Sequence, residues 1–105
     1  MYREGFYRRP GAESSELPMP VERAKAWKGE REFLEQLVKK ENYHFTLCSM
    51  NATTDPCHFC GKKLSRNQYW LGVWKWTAAL LHYVKEHHVR PSLGFQEFVV
   101  QRELV

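Results

Sequence analysis

Residues 57 to 61 read Cys-His-Phe-Cys-Gly, and 21 residues beyond Cys60 comes a second stretch of the same chemistry, Leu81-His82-Tyr83-Val84-Lys85-Glu86-His87-His88. The full spacing is Cys-x2-Cys-x21-His-x4-His. Two thiols three positions apart sit on one tight turn. A glycine after the second lets the backbone aim its N–H groups at sulfur. Such a knuckle supplies half of a tetrahedral site, and paired histidines on a helix supply the other half. Thiolate plus imidazole in a closed set of four is the donor set that zinc prefers. The pattern predicts one zinc ion held by Cys57, Cys60, His82 and His87.

His87 is the harder ligand to place. Five residues along an ideal helix amount to about 140° of rotation, so the spacing predicts that the last turn loosens, as Pro91 would permit. Two substitutes stay open. Cys48 can replace a histidine, giving three cysteines and one histidine, and His88 can replace His87. His44 and His58 read as surface histidines. A redox pair is disfavoured because Gly61-Lys62-Lys63 after Cys60 does not open a helix in a βαβ pattern.

The rest of the chain bounds the domain that carries this site. Its 105 residues suit one domain, of a size that often needs a metal or disulfide staple. Three cysteines, an odd number, and a start without an apolar run predict reduced thiols in the cytoplasm. No apolar stretch approaches the roughly 20 residues of a membrane-spanning helix, so no membrane partner is expected.

Residues 1 to 20 hold Pro10, Gly11, Pro18 and Pro20 without period, and read as an extended or disordered arm before one domain over residues 21 to 105. From Val21 to Glu41, Trp27, Leu34, Leu37 and Val38 recur at helical spacing, with Gly29 as a weak point that can split the helix. Alternation of Tyr43, Phe45 and Leu47 predicts a half-buried strand with Cys48 on its far face, followed by a loop over Ser49 to Pro56. Alternation from Tyr69 to Trp74 predicts a second strand paired with the first. Thr77 is placed to cap a helix to His87 or His88. Ser92 is placed to cap a last helix carrying Phe95, Phe98 and Val99 to about Glu103. The result is an α+β fold: a small antiparallel sheet bearing the knuckle, packed against about three helices.

The segment Trp74-Lys75-Trp76 through His82-Tyr83-Val84-x2-His87-x-Val89-x-Pro91, downstream of Cys57-x2-Cys60, resembles a pattern in small bacterial proteins of uncharacterised function. The resemblance covers roughly the last half of the chain. It implies that Cys57, Cys60, His82 and His87 act together, and it brings no activity with it. The chain departs at Thr77-Ala78, where a proline and an acid are common, and at His88 and Ser92, where glycine and a second proline are common.

Charge and aromatics frame the expected role. The formal charge is +4, and residues 61 to 90 carry Lys62, Lys63, Arg66, Lys75, Lys85 and Arg90 against the single acid Glu86. A zinc site with two thiolates and two neutral imidazoles is itself net neutral, so this excess would face an acidic partner. Trp70 and Trp74 suggest anchors for an unidentified protein partner. The alternative is nucleic acid, held by Lys62, Lys63, Arg66 and Arg90 with Arg3, Arg8 and Arg9 of the arm. No motif pairs a base with an open metal position, so neither an enzyme nor a small-molecule substrate is expected.

Overall fold

A computed structural model of the chain describes residues 2–7, 19–43, 46–49 and 53–100. The elements run β1 (Tyr2–Glu4), α1 (Glu30–Glu41), β2 (Leu47–Ser49), β3 (Thr54–Pro56), β4 (Lys63–Ser65), β5 (Gln68–Leu71), β6 (Trp74–Thr77), α2 (Ala79–His87) and α3 (Leu93–Val100). A four-stranded sheet has the order β1-β6-β5-β2, and β3 and β4 form a separate ribbon. The fold is α+β, as the sequence predicts, although the sheet is mixed: β1 runs parallel to β6, while β5 is antiparallel to both β6 and β2.

The sequence reads Tyr69 to Trp74 as one strand, but the chain turns back in its middle. Leu71 pairs with Trp74 across a two-residue loop whose first member, Gly72, has φ 60°. A tight hairpin that follows the strands' twist needs a positive φ at that position, and glycine supplies it without strain. On a continuous strand Trp74 would lie on the face of Trp70; the two-residue turn shifts the alternation by one and sets Trp74 beside Leu71. Trp74 and Trp76 therefore share a face with Tyr69 and Leu71.

That face is the core. Trp76 is fully buried, surrounded by Phe33 and Leu37 of α1, Leu80 and Val84 of α2, and Phe95 and Val99 of α3. Its ring stacks on Tyr69 at 5.6 Å and lies at 5.6 Å from Phe95. Its indole N–H donates to Glu41 Oε2 at 2.9 Å. A smaller cluster of Cys57, Leu64, Tyr83 and Val89 packs beneath the knuckle. Helix α2 serves both clusters, because Leu80 and Val84 form one i,i+4 stripe and Tyr83 and His87 the next.

Several boundaries differ from the periodicity reading. Helix α1 begins at Glu30, since Gly29 takes the left-handed conformation with φ 88° and ends any helical run from Val21. The preceding segment crosses to the end of α2 instead, where the Arg23 N–H donates to the His87 carbonyl at 3.1 Å. Thr77 ends β6, its hydroxyl donating to the Gly5 carbonyl at 2.9 Å, and Ala78 stands at the N-cap of α2. Ser92 caps α3 as its sequence predicts, accepting from the Phe95 N–H at 3.3 Å. The helix ends at Val100 within the described residues, and its predicted continuation to Glu103 lies outside them.

The start of the chain is a strand and not a free arm: Tyr2, Arg3 and Glu4 pair with Trp74, Lys75 and Trp76. Residues 8–18 lie outside the described residues, as do His44 and Phe45. The predicted first strand is shifted to Leu47–Ser49, and Leu47 points outward, 68% exposed. Its register with Trp70 puts it on the face opposite the core. Part of the predicted loop before the knuckle, Thr54–Pro56, is β3. No helix among the described residues is long and apolar enough to cross a membrane.

Candidate metal centre

The ribbon of β3 and β4 presents the knuckle. Pro56 pairs with Lys63, and beyond that pair the Cys57 N–H donates to the Lys62 carbonyl at 2.8 Å and the Gly61 N–H to the Cys57 carbonyl at 3.1 Å. The turn aims the Phe59 N–H at Cys57 Sγ, 3.4 Å away. The Tyr83 ring, rising from α2 beneath the turn, accepts the His58 N–H on its hydroxyl at 3.2 Å and so fixes the knuckle against the ligand helix.

Helix α2 brings the imidazoles. Cys57 Sγ lies 3.4 Å from His87 Nε2, and Cys60 Sγ lies 3.4 Å from His82 Nε2. One ligand atom from each of the four residues lies within 4.8 Å of every other. Around a tetrahedral ion with metal–sulfur and metal–nitrogen bonds of ordinary length, a sulfur-to-nitrogen edge is about 3.5 Å and a sulfur-to-sulfur edge about 3.8 Å. The two sulfur-to-nitrogen edges of 3.4 Å therefore match. The four residues form a Cys2His2 cluster in metal-binding geometry.

The helix does not loosen before His87, contrary to the prediction from spacing. His87 is its last helical residue, and His88 then takes the left-handed conformation with φ 53°, its N–H donating to the Val84 carbonyl at 3.1 Å. On an ideal helix, Cα atoms five residues apart are only about 9 Å from one another, a gap that two inward-leaning imidazole arms span. The two rings lie 5.2 Å apart, centroid to centroid.

Electrostatics favour the ligating forms of two of the four groups. The Lys62 N–H, followed by the His87 imidazole, holds the Cys60 thiol below its ordinary pKa, and His82 Nε2 lies 3.4 Å from its sulfur. Burial, together with the charges of His87 and Lys62, pushes His82 down toward the neutral form. For His87, burial lowers the pKa, but Cys60 and Glu22 outweigh it and the net shift is upward. Glu22 Oε2 lies 2.6 Å from His87 Nδ1. A carboxylate on Nδ1 keeps that nitrogen protonated and turns Nε2 toward the cluster, the outer-shell arrangement common around metal-bound histidine.

Glu22 is the residue that sequence reasoning missed. It is 65 positions from His87, in a stretch whose period suggests helix, and no local signal ties it to the site. The rival ligands are placed elsewhere. His88 Nδ1 lies 2.9 Å from Oε2 of Glu30, a buried carboxylate at the start of α1. Cys48 is exposed on β2, opposite Tyr69 in register. His58 meets Tyr83 through its backbone and is not part of the cluster.

The other predicted binding residues do not form one patch. Trp74 packs against Phe95 at 5.1 Å and against Tyr2 at 5.0 Å on the core side, so it is no exposed anchor. Arg66 lies 3.4 Å from Asp55 and Arg90 sits over the Trp27 ring at 5.6 Å, while Lys62 and Lys63 are exposed beside the knuckle. Trp70 faces away from the core. Lys75, its partner in register, lies over its ring at 5.0 Å and over Phe6 at 5.5 Å, and Arg3 lies 6.0 Å from the centre of the Phe6 ring.

Comparison of the chain with family models, with curated proteins and with solved structures returned no match.

Proposed function

We propose that the Cys2His2 cluster holds one zinc ion in a closed, structural site, and that the chain is a binding module whose working surface is the outer face of the four-stranded sheet. The observation that carries the first part is the convergence of four ligand atoms within 4.8 Å, each sulfur beside its own imidazole nitrogen. Two thiolates and two imidazoles in tetrahedral array suit zinc better than harder, oxygen-seeking cations. Four protein ligands leave no position for water. The nearby acids are also unsuited to act as a general base, since Glu22 is engaged on the far nitrogen of His87 and Glu86 is an exposed helix residue.

The ion in this reading is a fastener. It joins the β3–β4 ribbon to α2 where, among the described residues, the second core cluster is small: Cys57, Leu64, Tyr83 and Val89, with Tyr7 and Ala79 packed against them. The working surface is then the face bearing Leu47, Trp70, Lys75 and Arg3, which lies opposite the Trp76 core. A protein partner anchored on Trp70 and Trp74 loses one of its two anchors to the interior.

The test is elemental analysis of freshly purified protein, followed by exchange of the native metal for cobalt. One zinc per chain, and a cobalt spectrum with the strong visible bands of tetrahedral thiolate ligation, is the expected result. An octahedral-type spectrum, or loading that survives Cys57→Ser and His82→Ala together, would contradict it.

A further inference from the structure

We infer that the outer face of the four-stranded sheet is a platform for single-stranded nucleic acid, with Trp70 and Phe6 as stacking surfaces and Lys75 and Arg3 as phosphate contacts. This rests on the reading of that face as the working surface.

The strand register carries the argument. Leu47 of β2, Trp70 of β5, Lys75 of β6 and Arg3 of β1 are successive partners across the sheet, so their side chains form one row on one side. Phe6, just past β1, joins that row, because both Lys75 and Arg3 lie over its ring. The row therefore alternates aromatic and cationic groups: Trp70, Lys75, Phe6, Arg3. The hydrophobic residues of the three helices gather about Trp76 on the other side. A flat surface with aromatic rings spaced by cations suits a strand whose bases stack while its phosphates meet positive charge, and it suits a duplex poorly, because paired bases hide their faces.

A second feature adjoins the row. A cleft of about 140 Å³ opens at the end of the sheet beside Phe6, and Gln68 and Thr77, which lie on the same side as Trp70 and Lys75, form part of its wall. Asp55 and Ser65 of the β3–β4 ribbon, and Arg66 just past it, line it as well. Amide, carboxylate, hydroxyl and guanidinium groups there offer both donors and acceptors to the edge of one unstacked base. The metal centre bears on this only indirectly, by holding the ribbon that supplies part of that lining.

The occupant follows from charge. The chain is +4 overall, and the row carries two cations and no acid. An acidic peptide could meet Lys75 and Arg3 but would leave Trp70 and Phe6 without flat partners.

The test uses the metal-loaded full chain and fluorescently labelled oligonucleotides, read by anisotropy. Binding to a 12-mer single strand is expected at 50 mM salt, with weaker binding to the matching duplex. Two phosphate contacts predict a log–log salt slope of about −1.4, and Lys75→Gln reduces it by about 0.7. Trp70→Ala is expected to weaken binding at least about tenfold, with Trp70→Phe recovering most of it. Zinc content and melting midpoint are recorded for every variant, and Lys75→Gln, which leaves both aromatic rings in place, gives a readout should Trp70→Ala not fold.

No binding by the folded wild type at 50 mM salt would overturn the proposal, as would equal affinity for duplex. Equal competition by oligoglutamate would overturn it in favour of an acidic protein partner. A wild type that lacks metal yet folds and binds the single strand would refute the zinc reading and leave this one standing.

Discussion

The Nδ1 atom of His87 lies 2.6 Å from Oε2 of Glu22, and one residue later the Arg23 N–H donates to the His87 carbonyl. A two-residue strap thus holds both the side chain and the backbone of the last helical ligand. Removing the carboxylate frees the ring to rotate and to change tautomer, while the knuckle and His82 are left in place. Glu22→Ala is expected to weaken metal affinity by about 10- to 100-fold, measured by competition with a chromophoric chelator. An unchanged affinity would mean that the knuckle and helix alone orient His87.

Glu41 gives the fold a pH dependence separable from the metal. Burial raises its carboxyl from the ordinary 4.5 to about 7, against the opposing pull of the Trp76 indole N–H. A group whose pKa is higher in the folded than in the unfolded chain contributes its full stability below pH 4.5 and loses it as pH rises through about 7. Glu41→Gln keeps an acceptor for Trp76 and removes the charge. Between pH 6 and pH 8.5 the wild type should lose about 1 kcal/mol relative to this variant, measured by urea unfolding of metal-loaded protein. Parallel stability curves would show that the Glu41 carboxylate is well solvated.

Two glycines with positive φ should respond differently to alanine. At Gly5, φ 78°, an added Cβ meets Leu80 Cβ and Thr77 Oγ1 at 2.9 Å each, whereas at Gly29, φ 88°, it meets nothing within 4 Å. Gly29→Ala carries only the left-handed backbone cost of about 1 kcal/mol. Gly5→Ala adds a clash with a core residue and with the hydroxyl that bonds the Gly5 carbonyl, so it should cost at least about 2 kcal/mol. Hydrogen exchange is the finer readout: the Tyr2 N–H, bonded to the Val73 carbonyl, should lose protection in Gly5→Ala and keep it in Gly29→Ala.

Trp76 is fully buried and joins the sheet to all three helices. Trp76→Ala should cost about 3 to 5 kcal/mol, enough to abolish cooperative unfolding in a domain of this size. Trp76→Phe, which retains a ring but leaves Glu41 without the indole donor, should cost less. Equal losses in the two variants would place the hydrogen bond above the packing.

What the sequence made legible was what local chemistry encodes. Cys57 to Gly61 specify a knuckle by themselves, and the i,i+4 stripes of α2 follow from Leu80, Tyr83, Val84 and His87. The strand alternation from Tyr69 to Trp74 was legible as well, but read as one strand it puts Trp74 on the face of Trp70, and the hairpin at Gly72, φ 60°, moves it to the face of Leu71. The errors lie where distant segments compete with local preference. Val21 to Lys28 joins the helical reading of Val21 to Glu41 through Trp27 alone, and pairing with the end of α2 and the left-handed Gly29 outweigh it. β1 is three residues of ordinary composition, fixed by the edge of β6 and by the Ser92 hydroxyl that donates to Glu4 Oε1, partners which no periodicity can announce. The outward aim of Leu47 follows from a register chosen by Trp70, since a shift of one residue exchanges the faces.

The central claim is that four side chains share one structural zinc ion, and thermal unfolding with and without metal tests it most directly. Zinc-loaded protein should melt in one cooperative transition. After removal of the metal by a strong chelator, the transition should fall steeply or vanish, and it should return on addition of one equivalent of zinc, because metal affinity is folding free energy when the site forms only in the native state. A chelated, metal-free wild type with the same cooperative transition and midpoint would contradict the account.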